Sequence, residues 1–278
     1  MPAAPRLGLG CSRFGSLTSP LSFRDAEALV HAALHLGVRD FDTADIYGQG
    51  DSELWLGRIL RDRPEARIDT KAGQRFSLKM RAMRPLKPVL KPLLRRRMSG
   101  RIQTLRARPL DLCFDPAYLE ARLAASLRRL RRDRIDTFFL HNATEASIRE
   151  GRALACLADL KTRGDIAKVG VSTDDAEAAE LAIADGRVDA LQLPLSMLAA
   201  CPALAGSAAS AGVSLVIREV LGGLNAANGA GPLSGAAVER RLHQAAASPG
   251  VQMVLLGTTS TERLGLAVAA LSKIGPSS

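Results

Sequence analysis

Residues 39–57 read RDFDTADIYGQGDSELWLG, and this stretch decides the fold. It joins a short run centred on Phe41, which ends at Asp42, to an amphipathic segment that begins at Ser52. A strand followed by a loop and a helix is the repeating unit of a parallel sheet, because parallel strands need a crossover connection. The fold class therefore depends on whether the rest of the chain repeats this unit.

The same order of strand and helix recurs along the whole chain. The predicted strands are Arg6–Gly10, Arg39–Asp42, Arg67–Lys71, Ile135–Leu140, Ile166–Val171, Ala190–Leu193, Val213–Ile217 and Gln252–Leu256. The predicted helices are Phe23–Leu36, Ser52–Arg61, Pro116–Arg131, Ile148–Arg163, Asp175–Ala184, Pro202–Ala211, Gly235–Ala246 and Thr261–Leu271. Eight such units in 278 residues predict an α/β fold, a single-domain (β/α)8 TIM barrel.

A doubly wound parallel sheet is the alternative architecture. Its dinucleotide-binding fingerprint needs three glycines at fixed spacing, at the junction of the first strand and helix. The stretch Gly8-Leu9-Gly10 lacks the third glycine. The barrel is therefore the favoured prediction.

The net charge of +10 is concentrated in one segment. Residues 75–108 hold 12 of the 38 basic residues and no acidic one, so 26 basic residues remain against 28 acidic ones. We interpret residues 74–112 as a basic loop insertion in a barrel that spans residues 1–278. The insertion is either a solvated cover over the barrel mouth or a docking segment for an acidic protein or an anionic membrane surface. Nucleic acid is not an expected partner, because no aromatic residues alternate with the basic ones.

The cysteines and the hydropathy pattern indicate the compartment. Cys11, Cys113, Cys156 and Cys201 are scattered and show neither disulfide nor zinc-site spacing. The chain has no apolar run of transmembrane length, and its start lacks the apolar core of a secretory signal. We therefore expect a cytoplasmic protein without a bound metal.

Three consecutive predicted strands carry polar residues at their carboxyl ends. Asp42 ends the second strand and Tyr47 follows it closely, Lys71 ends the third strand, and His141 follows the fourth. Active sites of barrels lie at this rim. We therefore expect these four side chains to meet.

Together these residue types suit acid–base chemistry at a carbonyl group. A tyrosine is a weak acid, and a neighbouring ammonium group favours its phenolate. A carboxylate would hold the lysine in place and charged, and a histidine could donate a hydrogen bond to a carbonyl oxygen. Tyr47 would then protonate the alkoxide that forms as hydride arrives at the carbonyl carbon.

Four stretches resemble the aldo-keto reductase family, in order and over nearly the whole chain. They are DTADIYGQGDSELWLG at 42–57, SLRRLRRDRIDTFFLHN at 126–142, KTRGDIAKVGVS at 161–172 and VQMVLLGTTSTERL at 251–264. The first is specific, and the others are strong as a series. The resemblance implies a carbonyl reductase using NADP, or NAD, in which Asp42, Tyr47, Lys71 and His141 match the catalytic tetrad.

The resemblance also implies where the cofactor binds. Ser172 and Gln192 match the positions that hold the nicotinamide carboxamide. Arg218 falls where many members stack a tyrosine on the nicotinamide ring, and a planar guanidinium could also stack there.

The resemblance further assigns the phosphate end of the cofactor. Gly257, Thr258 and Ser260 match the loop around the adenosine phosphate. Arg263 matches a position that contacts the 2′-phosphate in members that prefer NADPH.

This chain departs from the family pattern near the adenosine. Thr173 replaces the usual Asn, Thr259 replaces a basic residue, and Leu266 and Ala267 occupy the place of a Glu-Asn pair. The choice between NADPH and NADH therefore stays open.

We weigh three functions for this chain. The leading one is reduction of an aldehyde, ketone or sugar hemiacetal, with a small-molecule carbonyl compound as the partner. The second is a catalytically weak NADP-binding sensor or scaffold that docks an acidic partner through the basic insertion. The third is an aldolase that uses Lys71 as a Schiff-base nucleophile, which a salt-bridged and charged lysine disfavours.

Overall fold

The computed structural model describes residues 5–16, 19, 21–75, 110–222 and 234–273. Its strands are β1 (Arg6–Gly10), β2 (Asp40–Asp42), β3 (Arg67–Ala72), β4 (Gln74–Arg75), β5 (Asp111–Leu112), β6 (Ile135–His141), β7 (Ile166–Ser172), β8 (Ala190–Pro194), β9 (Ser214–Arg218) and β10 (Val251–Leu256). Its α-helices are α1 (Phe23–His35), α2 (Asp51–Ile59), α3 (Pro116–Leu130), α4 (Glu145–Glu150), α5 (Arg152–Arg163), α6 (Ala176–Ala184), α7 (Leu195–Ala200), α8 (Ala203–Ser210), α9 (Gly235–Ala246) and α10 (Thr261–Ser272). A 3₁₀ turn (Tyr47–Gly50) precedes α2.

Eight parallel strands close into a barrel in the order β1-β2-β3-β6-β7-β8-β9-β10, and β10 pairs with β1. The prediction of a single-domain (β/α)8 barrel is confirmed. Since all eight strands run in the same direction, their carboxyl ends share one rim.

The core has two layers that follow from the alternation of side chains along each strand. Inside the barrel, one buried cluster consists of Phe139, Ala190, Val216, Met253 and Leu255. A larger aliphatic cluster fills the space between the barrel and the helices. Polar side chains also enter the interior near the rim, which is where the candidate site lies.

The predicted helix Ile148–Arg163 is wrong as a single element. Gly151 adopts φ 73°, a left-handed conformation that ends α4 and precedes α5. Helix α4 begins earlier than predicted, because Thr144 and Ser147 form a reciprocal capping box at its start. Helix α7, which follows directly on β8 at Pro194, is not among the predicted helices.

The predicted insertion at residues 74–112 begins and ends in a small antiparallel pair. Gln74 pairs with Leu112, and Arg75 pairs with Asp111. Residues 76–109 lie outside the described residues, so the predicted basic loop remains a prediction. Within the described part of the chain, no helix is long and apolar enough to cross a membrane.

Candidate active site

A buried ion pair forms the centre of the candidate site. The Lys71 Nζ donates to Asp42 Oδ1 at 2.6 Å and to the backbone oxygen of Thr43 at 2.8 Å. Lys71 is 1% exposed, so both of these hydrogen bonds are shielded from water. Burial alone would disfavour the ammonium, but Asp42, Tyr47 and Asp69 together outweigh it, and the pKa of Lys71 lies above its ordinary value. Lys71 therefore remains a cation.

Tyr47 lies beside this cation. The Lys71 Nζ is 5.3 Å from the centre of the Tyr47 ring. Burial raises the pKa of the Tyr47 phenol, and the charge of Lys71 opposes that rise without cancelling it. The ammonium alone would favour the phenolate, as predicted from the sequence, but burial is the larger effect. Tyr47 is consequently a protonated phenol at neutral pH, which is the form that can donate a proton.

His141 also packs against the Tyr47 ring. The two ring centres are 5.6 Å apart and the ring planes meet at 87°, an edge-to-face contact. Burial lowers the pKa of His141 well below its ordinary value, and the positive charges of Lys71 and Arg218 lower it further. The imidazole is therefore neutral. Its Nδ1 is buried and has no hydrogen-bond partner among the described residues.

Two of the predicted nicotinamide contacts extend the same network. Ser172 Oγ donates to Gln192 Oε1 at 3.0 Å, and Gln192 Nε2 donates to Asp42 Oδ1 at 2.8 Å. Ser172 ends β7, and Gln192 is paired with it in register on β8. A continuous line of polar groups thus runs from Lys71 through Asp42 and Gln192 to Ser172.

Arg218 ends β9 at the same rim of the barrel. Its guanidinium donates to the Asp174 carboxylate, to Glu219 Oε1 at 2.7 Å and to the backbone oxygen of Thr173 at 3.4 Å. Its positive charge lowers the pKa of both Tyr47 and His141. The acidic neighbours Asp174 and Glu219 were not among the residues predicted from the sequence.

The four residues predicted for the adenosine phosphate form a separate group at the start of α10. Gly257 follows β10, and a Cβ atom there would meet nothing within 4 Å. The backbone N–H of Ser260 donates to Thr258 Oγ1 at 3.1 Å, and Ser260 Oγ caps the helix by accepting from the Arg263 N–H at 3.2 Å. The N-terminus of a helix favours an anion.

A second buried group anchors the loop that carries Tyr47. Ser52 Oγ donates to the backbone oxygen of Cys11 at 2.9 Å and lies 2.8 Å from Thr43 Oγ1. The adjacent Glu53 accepts from Thr70 Oγ1 and from Arg129 Nε, each at 2.6 Å. The Ser-Glu pair of the first motif is therefore structural in this chain, since it fixes the start of α2 against β1, β3 and α3.

Gly48 shows how tightly this loop is held. It adopts φ 57°, and a Cβ atom there would lie 2.6 Å from the backbone oxygen of Phe14. Only glycine combines this left-handed conformation with such a close approach at little cost. The loop backbone next to Tyr47 is thus pressed against the segment that follows β1.

A model of the Aldo/keto reductase family matches residues 6–231 of the chain. The chain belongs to this family. Among curated relatives of this aldo/keto reductase, D-threo-aldose 1-dehydrogenase from Pseudomonas sp is 29% identical over 202 residues, which cover 69% of this chain and 56% of that protein. Pyridoxal 4-dehydrogenase from Microbacterium luteolum is 47% identical over 83 residues, which cover 30% of this chain and 24% of that protein. The chain thus matches little more than half of the first relative's length and about a quarter of the second's.

Solved structures share the fold of this aldo/keto reductase. A Pseudomonas aeruginosa protein named as an aldo-keto reductase superposes with a TM-score of 0.73 at 25% identity, covering 98% of this chain and 91% of that chain. An aldo-keto reductase from Klebsiella pneumoniae in complex with NADPH superposes with a TM-score of 0.69 at 18% identity, covering 97% of this chain and 86% of that chain.

Sequence reasoning missed some polar groups that surround the predicted tetrad in this aldo/keto reductase. The contact of Lys71 with the Thr43 backbone oxygen could not be predicted from residue types, because every residue has a backbone oxygen. Asp69, inside the barrel on β3, had a signal that could have been used, because a carboxylate within the apolar part of a parallel strand is unusual. Among the described residues, no group of three or more His, Cys, Asp or Glu side chains is arranged to hold a metal ion.

Proposed function

We propose that this chain is an oxidoreductase that transfers hydride between NAD(P)H and the carbonyl carbon of a small molecule, with Tyr47 as general acid and base. The single observation that carries the proposal is the contact of the Tyr47 ring with both the Lys71 ammonium and the neutral His141 imidazole. Tyr47 is half-buried at the rim of the barrel, where a substrate oxygen can approach it.

Each of the four predicted catalytic side chains has a distinct task in this proposal. Tyr47 gives its proton to the substrate oxygen during reduction and takes it back during oxidation. Lys71 stabilises the phenolate left behind, because its charge lowers the pKa of Tyr47. Asp42 holds Lys71 in place through the 2.6 Å contact. His141 is neutral and can donate a hydrogen bond to the same substrate oxygen.

The residues around the rim fit a nicotinamide dinucleotide. The amide and hydroxyl of Gln192 and Ser172 suit a carboxamide, and the Arg218 guanidinium suits an aromatic ring. The open side of Gly257 and the start of α10, with Thr258 and Ser260, suit a phosphate. When bound, the nicotinamide supplies the hydride.

We favour NADP as the cofactor and keep NAD as the alternative. The Klebsiella pneumoniae structure that shares this fold was solved with NADPH. Arg263 is exposed at the start of α10, where a guanidinium could contact a 2′-phosphate. Direct comparison of NADPH and NADH binding to the wild-type chain and to Arg263→Ala decides between them, since only NADPH affinity should fall in the variant.

The proposed substrate class is an aldehyde, a ketone or a sugar hemiacetal. The names of two relatives support it, because an aldose and pyridoxal each carry an aldehyde carbon. The relatives are named as dehydrogenases, so we expect the reaction to be measurable in both directions.

The test is consumption of NADPH with a panel of aldehydes, ketones and aldoses. We expect turnover by the wild-type chain, and a rate lowered by on the order of 10²–10⁴-fold in Tyr47→Phe. Tyr118→Phe is the matched control, because Tyr118 is the other tyrosine of the chain and its hydroxyl donates to the backbone oxygen of Gln74 at 3.4 Å. If Tyr47→Phe turns over as fast as Tyr118→Phe, the assignment of Tyr47 is wrong.

A further inference from the structure

Two carboxylates hold the guanidinium of Arg218 at the rim of the barrel. Its Nη1 donates to Glu219 Oε1 at 2.7 Å, and its Nη2 donates to Asp174 Oδ1. The arginine side chain is 18% exposed, whereas the side chains of Asp174 and Glu219 are 60% and 46% exposed. One cation against two carboxylates leaves this group with one net negative charge. The function proposed above uses the guanidinium and leaves both carboxylates without a role.

The turn after β7 fixes the position of Asp174, two residues beyond Ser172. The side-chain oxygen of Thr173 donates to the Ala143 backbone oxygen at 2.7 Å and accepts from the Asp175 N–H at 2.9 Å. Asp175 in turn caps the start of α6. The backbone on both sides of Asp174 is therefore anchored, which sets the position from which its carboxylate meets the guanidinium.

Glu219 reaches the neighbouring arginine from an uncommon backbone conformation. Its φ is 59°, in the left-handed region that glycine and asparagine adopt more readily. The Gly222 N–H donates to the Glu219 backbone oxygen at 2.8 Å, which closes a tight turn after β9. Such a turn alone does not favour glutamate, so the contact of its carboxylate with Arg218 needs a reason beyond the turn.

The two redox forms of a nicotinamide ring differ in charge. The oxidised ring is a cation, whereas the reduced ring is neutral. A guanidinium beside the ring therefore repels the oxidised form but not the reduced one. A tyrosine, the residue that many family members have at the position of Arg218, is uncharged and makes no such distinction. An arginine there needs a counter-charge if both forms are to bind.

We propose that Asp174 and Glu219 are positioning residues for the cofactor, which hold the Arg218 guanidinium in place and offset its charge so that the oxidised nicotinamide binds beside it. The inference rests on the proposed function, which puts Arg218 against the nicotinamide ring. Part of the same compensation acts on Tyr47. Burial is the main cause of the raised pKa of this phenol, and among the charges around it Arg218 lowers the pKa while Glu219 raises it.

The test is equilibrium binding of NADP+ and of NADPH without a carbonyl substrate. The measured quantity is the ratio of the Kd for NADP+ to the Kd for NADPH. Asp174→Asn and Glu219→Gln each leave the arginine with less counter-charge, so each should raise this ratio by about threefold to tenfold, as for one partly screened charge. Arg218→Met removes the cation and should lower the ratio. A merely structural role would weaken both forms alike and leave the ratio unchanged.

A second arginine with two exposed acidic partners supplies the matched control. Arg163 is paired with Glu120 and with Asp165, which precedes β7 at the end of that strand away from the rim. Glu120→Gln and Asp165→Asn should therefore keep the wild-type ratio. Higher salt should reduce the effects of Asp174→Asn and Glu219→Gln, because exposed carboxylates are screened by ions.

The possible failures can be separated. If neither NADP+ nor NADPH binds to the wild-type chain, the proposed function fails and the inference fails with it. If the cofactor binds and Tyr47→Phe loses turnover, but Asp174→Asn and Glu219→Gln keep the wild-type ratio, the inference alone is overturned. A ratio that moves in the same direction in Arg218→Met as in the two carboxylate variants also overturns it.

Discussion

The Lys71 side chain is both buried and charged, and its hydrogen-bond partners stabilise that charge. Asp42 and the Thr43 backbone oxygen both accept from its Nζ. The sequence predicted that Asp42 and Lys71 would meet, because both lie at carboxyl ends of neighbouring strands. It did not predict the Gln192–Asp42 hydrogen bond, whose partners are 150 residues apart. Hydrophobic periodicity places elements, whereas the packing of the closed barrel decides which side chains touch.

Lys71→Met tests the ion pair at the residue scale. The variant leaves Asp42 buried without its cation, so we expect the free energy of unfolding to fall by about 3–5 kcal/mol. Chemical denaturation measures this loss. Lys161→Met is the matched control, because Lys161 is bonded to Asp189 at an exposed position. It should cost no more than about 1 kcal/mol. Equal losses in the two variants would contradict the account of the buried pair.

At the scale of elements, the predicted strands agree with the described ones to within one residue at each end. The strand ends could be predicted because they coincide with the change from apolar runs to polar rim residues. The helix prediction that was wrong, Ile148–Arg163, runs through Gly151 in its left-handed conformation. The hydrophobic periodicity is helical on both sides of Gly151. It therefore gives no sign of the break, which depends on one backbone angle.

Helices α2 and α3 approach closely at Gly57, on the side of the barrel that carries the Tyr47 loop. A Cβ atom at Gly57 would lie 2.2 Å from the backbone oxygen of Arg129. Gly57→Ala should therefore force the helices apart and lower the free energy of unfolding by about 1–3 kcal/mol. Gly265→Ala is the matched control within α10, where nothing lies within 4 Å. There alanine should stabilise the chain by up to about 1 kcal/mol, because it favours the helix.

Thermal and chemical unfolding of both glycine variants checks this prediction. A destabilised Gly57→Ala together with an unharmed Gly265→Ala supports close packing of α2 on α3. If both variants are more stable than the wild type, the close approach at Gly57 is wrong.

At the scale of the whole molecule, the free energy of unfolding depends on pH through the carboxyl group of Asp45, whose pKa the fold raises. Burial and the nearby Glu53 together raise the pKa of Asp45 from 3.8 to about 7, against the opposing charges of Arg122 and Arg129. Its Oδ1 has no hydrogen-bond partner among the described residues. The folded chain thus holds this proton more tightly than the unfolded chain does. The contribution of the Asp45 carboxyl group to the free energy of unfolding falls as the pH rises from about 4 to about 7, and it is constant above that range.

Asp45→Asn removes this pH dependence. Relative to the wild type, the variant should gain stability as the pH rises from about 4 to about 7, by up to about 4 kcal/mol for a shift of this size. Urea unfolding at several pH values measures the difference. Asp62→Asn, at an exposed position, is the control and should follow the wild type. A constant difference between Asp45→Asn and the wild type at every pH would contradict the raised pKa.

The whole chain could be assigned to a barrel from its sequence because one unit recurs eight times with few exceptions. The basic segment is the main exception, and the described residues reach only its two ends, at Gln74–Arg75 and Asp111–Leu112. The proximity of Asp42, Tyr47, Lys71 and His141 was predictable because the barrel brings strand ends to one rim. The acidic neighbours of Arg218, and Asp69 on β3, could not be predicted in the same way. Their importance depends on burial and on neighbours that are distant in the sequence.

The central claim is that Tyr47 moves the proton that accompanies hydride transfer. The most direct measurement is a single turnover, in which NADPH is first bound to the enzyme and then mixed with a carbonyl substrate that the wild type reduces. The account predicts that Tyr47→Phe binds NADPH as the wild type does and transfers hydride on the order of 10²–10⁴-fold more slowly. Tyr118→Phe should match the wild type in both steps. An unchanged rate of hydride transfer in Tyr47→Phe, with NADPH bound, would contradict the account.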